Sequence, residues 1–259
     1  DDVESRGLGD VYKRQGMMCQ DIFVEVGHGP TLIDNNILLS DASLRFATQG
    51  VAMVHNLICG ALTCVGEGTS WRYTPYHMPH RTEVMGFMTI LHGDDRFYNN
   101  IFVQKWPSED FITMHDSDDG FDSENRKVGT WMFDEYPTYD EWISQFDFTK
   151  PADMKKLESV HFDHLPVWSE GNVYLNGAKA WKHEKNGFVS PENVEVELTE
   201  KDGKYFLDTN IYEILEDFSG RMINTEVLGK AFEPEEFFEN PDGTPITFDT
   251  DYFGGHRGA

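Results

Sequence analysis

Three short apolar runs along the chain share one arrangement. Leu32 to Ser40 reads LIDNNILLS, Met53 to Leu62 reads MVHNLICGAL, and Phe97 to Trp106 reads FYNNIFVQKW. Each sets an asparagine directly before its second apolar stretch: Asn36, Asn56 and Asn100, spaced 20 and 44 residues apart. Those spacings are close to one and two periods of about 21 residues, the range in which short-stranded repeats build solenoids. Such a repeat predicts a parallel β-helix in which a buried asparagine stacks and hydrogen-bonds from one coil to the next. The strand readings are Asp21 to Val26, Leu32 to Leu39, Val51 to Val65, Glu83 to Leu91 and Phe97 to Trp106. The continuous apolar run at Val51 to Val65 predicts a buried strand and corner. Gly66 to Arg81, punctuated by glycine and proline, reads as a loop hung on that scaffold.

Beyond residue 106 the pattern changes. Pro107 to Asp147 reads as acidic, aromatic-rich loop. From about Phe148, the alternation in Asn172 to Ala180, Val194 to Ile211 and Arg221 to Phe232 predicts an antiparallel β-sandwich module, with EKDGK as a hairpin turn and Gly203 at a positive-φ position. The predicted organisation is therefore all-β. Residues 1–15 are a non-native tail, because DVYKRQ resembles an adapter-derived translation artefact; 16–147 are parallel β-helix coils with active-site loops; 148–220 are the sandwich-like module; 221–259 return towards the helix and read as truncated. On that reading the chain is a metagenomic fragment. Its cellular location is not legible, and cytoplasmic and secreted bacterial settings both fit.

Composition narrows the function classes. A formal charge of −25 argues against nucleic acid and anionic membranes as partners and fits a neutral oligosaccharide. No apolar run approaches 18 residues, so no transmembrane helix is predicted. Cys19, Cys59 and Cys64 do not form a metal-type pair, and Cys59 and Cys64 read as buried thiols. The acidic run His115 to Glu124 only loosely matches a calcium loop, since Arg126 stands where the template needs glutamate. No cofactor and no metal is expected. The sequence says nothing of the oligomeric state.

The chemistry on offer is carboxylates, histidine, arginine and aromatic rings on a β scaffold. No dinucleotide, P-loop or GxSxG motif is present. This kit suits carbohydrate: aromatic faces stack on sugar rings, and two carboxyl groups can cleave a glycosidic bond. Adjacent coils lie about 4.8 Å apart, close to the separation of about 5–5.5 Å used by retaining glycosidases. Glu25 and Glu67 are 42 residues apart, two periods, with Phe46 midway and Arg45 beside it. Asp41 lies five residues from that middle rung, and Glu83 opens the strand after a His/Arg cluster. Glu25, inside an apolar strand, is expected to need an arginine or histidine partner. His77 and His80 form an HxxH on a loop, better suited to hydroxyl bonding than to a metal site with His55 or His92. Arg72, Tyr76, His77, His80, Arg81, Asp95 and Arg96 are the expected substrate-binding residues, although Asp94, Asp95 and Arg96 also read as a salt-bridged turn.

On HGPTLIDNNILLS, VHNLICG, RYTPYHMPHRTEVMGF and HGDDRFYNNIF, the chain resembles the right-handed parallel β-helix proteins of glycoside hydrolase family 120, the β-xylosidases. That resemblance implies a β-helix core with an associated β-sandwich. It also implies retaining hydrolysis by an aspartate nucleophile and a glutamate acid/base on neighbouring coils. The glutamate role falls to Glu67 or Glu83, with Glu25 as a further active-site acid. Phe46 on the middle rung departs from the pattern and leaves Asp41 as the nearest acid for the nucleophile. Two other readings stay open: a β-helix polysaccharide lyase using Tyr76, His77 and Arg81, and a non-catalytic glycan-binding solenoid.

Overall fold

The computed structural model describes residues 20–40, 42–64, 70–105, 128–251 and 254–257, with side chains at all of these but 70–72. The first pass of the chain is β1 (Ile22–Glu25), β2 (Thr31–Asp34) and β3 (Ile37–Leu38); the second is β4 (Ala42–Ala47), β5 (Val51–Val54) and β6 (Leu57–Ile58). The third begins with β7 (Ala61–Cys64), leaves in a hairpin of β8 (Ser70–His77) and β9 (Val84–Ile90), and resumes with β10 (Asp95–Tyr98) and β11 (Ile101–Val103). Further on come α1 (Tyr139–Ile143), α2 (Met154–Val160), β12 (Val167–Glu170), β13 (Val173–Leu175) and β14 (Phe188–Val189). The last elements are β15 (Val196–Lys201), β16 (Lys204–Thr209), α3 (Ile211–Ile214) and α4 (Thr225–Leu228).

Among the described residues the protein is mostly β, with three parallel sheets and two antiparallel pairs. Sheet A is ordered β1-β4-β7, sheet B β12-β10-β5-β2, and sheet C β14-β13-β11-β6-β3. Each pass thus adds one strand to the sheets it visits. The register is close: Leu32 faces Ala52, Ala52 faces Arg96, and Arg96 faces Trp168.

Two columns of special residues let the backbone turn corners between sheets. At the corner from B to C, a residue with positive φ precedes each asparagine: Asn35 at 54°, His55 at 57°, Asn99 at 53° and Gly171 at 70°. The asparagines after them form a ladder. Asn36 N–H donates to Asn56 Oδ1 at 2.9 Å, Asn56 N–H to Asn100 Oδ1 at 3.0 Å, and Asn100 N–H to Asn172 Oδ1 at 2.9 Å. The expected ladder of three thus has a fourth member, Asn172. It ends on Glu184, whose Oε1 accepts Asn172 N–H at 3.0 Å. At the corner from A to B, glycines stack. A Cβ on Gly29 would sit 2.5 Å from Gly50 O, and one on Gly93 would sit 2.1 Å from Leu165 O, so no larger residue fits.

One apolar cluster draws on all three sheets and holds Leu44, Phe46, Met53, Phe97, Phe102 and Phe133, all fully buried. Sheets B and C are also covered outside. Ile223, Leu228, Ala231 and Phe238 pack over Ala52, Val54 and Tyr98 of sheet B. Val194, Val196 and Ile211 pack over Val103, Val173 and Leu175 of sheet C. Burial on both faces is why β5 reads as an unbroken apolar VAMV rather than an alternation. Sheet A differs: on its outer face Phe23 is 45% exposed and Glu25 is exposed.

Three expectations change. Asn172 to Ala180 does not build an antiparallel sandwich; its strand β13 pairs in parallel with β11, because Asn172 extends the ladder. Arg221 to Phe232 holds no strand but the short helix α4, which covers sheet B. Of the expected module, β15 and β16 form the predicted hairpin, with Asp202 and Gly203 both at positive φ, the geometry of a type I′ turn. The third change concerns the stretch after β7. Ser70–His77 is a strand rather than a loop, and β9 pairs with it before burying only its end, at Thr89 and Ile90.

Candidate active site

Sheet A and the β8–β9 hairpin present the predicted polar residues. The hairpin is tied to the scaffold at its base: His28 Nε2 lies 3.1 Å from Thr74 O, and its ring meets Tyr76 edge-on at 5.7 Å. Burial pushes the His28 pKa down, so the ring is neutral at physiological pH. At the hairpin tip, His80 Nε2 lies 2.7 Å from Glu239 Oε1 and Nδ1 lies 3.8 Å from Glu236 Oε1, joining the tip to the C-terminal segment. Donation of a hydrogen bond to the Glu239 carboxylate holds the His80 pKa above its ordinary value. His80, Arg81, Thr82 and Glu83 line an open hollow with Glu236 and Pro241. His77 is exposed, with Nδ1 3.3 Å from Thr82 O.

The acids separate. Glu25 lies on β1 paired with Ala47, while Phe46 pairs with Val24 and Cys64, so the expected rung is displaced by one residue. Phe46 points inward, 5.8 Å from Phe133 and 6.2 Å from Phe97, and is a core side chain. Glu25 points outward, so the expectation of a buried carboxylate does not hold. A strand alternates its faces, and the one-residue shift decides which side chain lies inside. Asp41, Glu67 and the Arg72 side chain lie outside the described residues, as do Cys19 and the acidic run His115 to Glu124.

Asp94, Asp95 and Arg96 do not line the exposed site. Asp95 is 1% exposed and accepts Val51 N–H at 3.0 Å. Burial raises its pKa well above the usual carboxylate range, with Asp94 adding to the effect and the Val51 bond opposing it. A raised folded pKa means stability is fully present below the unfolded pKa and falls as pH rises towards the folded one. Asp95→Asn, which keeps the acceptor, is therefore expected to cost less than about 1 kcal/mol at neutral pH and to flatten the decline that begins above the unfolded carboxylate pKa. Denaturant midpoints from pH 5 to 9 check it; a loss of several kcal/mol at pH 7 would show that Asp95 is ionised.

Arg96 is 3% exposed and faces the opposite side of sheet B. Its Nε donates to Leu228 O at 2.9 Å, Nη2 to Lys230 O at 2.6 Å and Nη1 to Asp94 Oδ1 at 2.6 Å. Asp94 Oδ2 in turn accepts Phe232 N–H at 2.8 Å. The salt-bridged turn expected here is thus present, and it fastens residues 228–232 to sheet B. The guanidinium stacks 4.5 Å from the Trp168 ring and 4.8 Å from the Phe238 ring. Despite the arginine, burial lifts the Asp94 carboxyl to about 6.

The sequence reading missed Glu184, which ends the ladder, and Glu236 and Glu239, which grip His80. Gly171-Asn172 carries the same positive-φ-then-Asn signal as the other rungs. Glu236 and Glu239 carry no local signal, because His80 lies 156 and 159 residues away in sequence. Burial pushes the Cys59 and Cys64 thiols up to about 12; Cys59 is buried as expected, whereas Cys64 is only partly buried. Among the described residues, no cluster of three histidine, cysteine or acidic side chains stands in metal-binding geometry, and no helix is long and apolar enough to cross a membrane.

No family model and no curated protein sequence matches the chain. Among solved structures it is similar to the complex of XylC with xylose, with a TM-score of 0.76 and 31% sequence identity over 92% of this chain. The chain spans about a third of that protein's length, 34%.

Proposed function

We propose that the chain is part of a retaining β-xylosidase of the glycoside hydrolase family 120 type, built on a right-handed parallel β-helix. The observation that carries this reading is the likeness to the XylC–xylose complex across 92% of the chain. The succession of sheets A, B and C, with one ladder asparagine per pass, supports the β-helix. Neighbouring strands bring groups within about 5 Å, the separation at which one carboxylate attacks the anomeric carbon while a second carboxyl protonates the leaving oxygen. Glu67 or Glu83 is the acid/base, Asp41 the nearest acid for the nucleophile, and Glu25 a further acid on the open face of sheet A. Arg72, Tyr76, His77, His80 and Arg81 supply hydroxyl contacts.

Release of nitrophenol from p-nitrophenyl β-D-xyloside, with β-xylose appearing first by proton NMR, is the expected result. Glu67→Gln and Glu83→Gln each lower kcat, the acid/base of the two by about 100-fold or more. Wild-type rates in both variants would sink the site assignment, and α-xylose appearing first would sink retention. Unsaturated products on a uronate polymer would move the reading to a lyase. Glycan binding without turnover of any glycoside would make the chain a binding solenoid.

A further inference from the structure

The segment fastened by Asp94 and Arg96 forms one wall of a cavity of about 610 Å³, within the range of about 300–1,000 Å³ usual for small-molecule sites. The cavity lies over sheet B, lined there by Arg96, Tyr98 and Trp168, and Glu235 on its rim is next in sequence to the Glu236 that lines the hollow at the hairpin tip. Its other wall is aromatic. Tyr139 and Trp142 come from α1, which a capping box sets in place: Thr138 Oγ1 accepts Glu141 N–H at 3.3 Å and Glu141 Oε2 accepts Thr138 N–H at 2.8 Å. Trp168 comes from β12, and Phe232 closes the cluster. Trp142 and Phe232 are 5.3 Å apart, Trp168 and Phe232 5.9 Å, and Tyr139 stacks on Trp168 at 6.2 Å.

Two features separate this cluster from an ordinary patch of core. It surrounds open space, and Tyr139 is 42% exposed. Charged residues of both signs line the same space, Glu233 and Glu235 on one hand and on the other Lys230, whose ammonium rests 4.6 Å over the Phe237 ring and would swing from it to meet a ligand. Burial raises the Glu233 pKa, with His161 opposing, so this carboxyl is partly withdrawn from water. Arg96 is committed to backbone carbonyls and Asp94, so among the described residues no uncommitted guanidinium lines the cavity to meet a phosphate or uronate. A neutral ring with one apolar face and several hydroxyls matches this lining: the face stacks on aromatic rings, and the hydroxyls bond to a carboxylate and an ammonium.

We propose that this cleft is a second carbohydrate-binding site, taking a neutral pyranose or short oligosaccharide against Trp142 and Tyr139 with Glu233 and Lys230 on its hydroxyls. The choice of sugar class rests on the glycosidase reading; the cleft itself does not. The wall is preorganised, because Arg96 and Asp94 hold residues 228–232 before any ligand arrives, which lowers the ordering cost of binding.

The test is isothermal titration of the protein with xylobiose. The expected result is a binding event whose Kd rises at least tenfold in Trp142→Ala and in Tyr139→Ala, with each variant's melting midpoint kept within a few degrees of wild type. Tyr139 is the more exposed of the two, so its truncation keeps the test valid if Trp142→Ala does not fold. Variant titrations that superimpose on wild type, or no xylobiose binding by wild type, would overturn the proposal. The nitrophenyl xyloside assay separates the two readings. Nitrophenol release with xylobiose binding indifferent to both substitutions removes the cleft alone. No release with binding that depends on them removes the hydrolase and leaves the cleft.

Discussion

Asn100→Ala is expected to cost about 3–5 kcal/mol, well above the cost of the same truncation at Asn36. Asn100 is fully buried. Its Oδ1 accepts both Asn56 N–H, at 3.0 Å, and Asn56 Nδ2, at 2.9 Å. Its Nδ2 donates to Met53 O at 2.8 Å and to Asn172 Oδ1 at 3.1 Å. Alanine leaves Asn56 N–H and Met53 O without these partners in a place water does not reach, at about 1–3 kcal/mol each, and opens a small cavity besides. Asn36→Ala removes less. Asn36 is only half-buried, and Asn56 Oδ1 keeps the bond from the Asn36 backbone N–H. A cost nearer about 1 kcal/mol is expected there. Denaturant midpoints of the two variants measure the contrast. Equal costs, or a small one at Asn100, would mean the ladder decorates the corner rather than holding it.

Arg96→Ala is expected to cost a similar amount, about 3–5 kcal/mol, because it strands a buried partner. Four acceptors lose their donor at once, Leu228 O, Lys230 O, Asp94 O and Asp94 Oδ1, and two aromatic rings lose the guanidinium between them. Adding Asp94→Asn recovers part of the loss by removing the unpaired carboxylate, and that recovery in a double-mutant cycle distinguishes charge from packing. The pH dependence has a definite sign. Asp94 has a folded pKa of about 6, above its ordinary value, because burial outweighs the help from Arg96. Its stabilising contribution is fully present below about pH 4 and is lost as pH rises through about 6. Relative to wild type, Asp94→Asn should therefore gain ground between pH 4 and 6. A difference that stays flat across that window would mean the ion pair fully offsets burial. Limited proteolysis should find the loop at 228–233 first in Arg96→Ala, since the tie that holds it is gone.

Much of the scaffold is visible along the chain, because its signals are local. An asparagine before each short apolar run marks a rung, and an unbroken run such as VAMV marks a strand covered on both sides. The hairpin at Asp202-Gly203 is likewise declared by two residues. The function-bearing arrangement is less local. Ser70–His77 carries glycine-and-proline punctuation upstream and reads as loop, yet pairing with Val84–Ile90 makes it a strand. Glu25 and Phe46 were expected at related phases, but β1 to β4 advances by 22 residues and β4 to β7 by 18, as the pairs Val24–Phe46 and Phe46–Cys64 record. A fixed period of about 21 cannot carry a site register through such uneven steps.

What the sequence by itself determined is the repeat: where the chain turns, which asparagine lies inside, and that the strands are short and mostly apolar. These follow from backbone conformation and hydrogen-bonding capacity, properties of one residue and its neighbours. Tertiary structure alone decided the rest. It put Asp95 inside and Arg96 outside one strand, joined Asp94 and Arg96 to a segment more than 130 residues away, and closed His80 against Glu239. It also gathered Tyr139, Trp142, Trp168 and Phe232 around one cavity. Those outcomes depend on which distant surfaces are left to cover the sheets, and no local pattern of hydrophobic and polar residues records that choice.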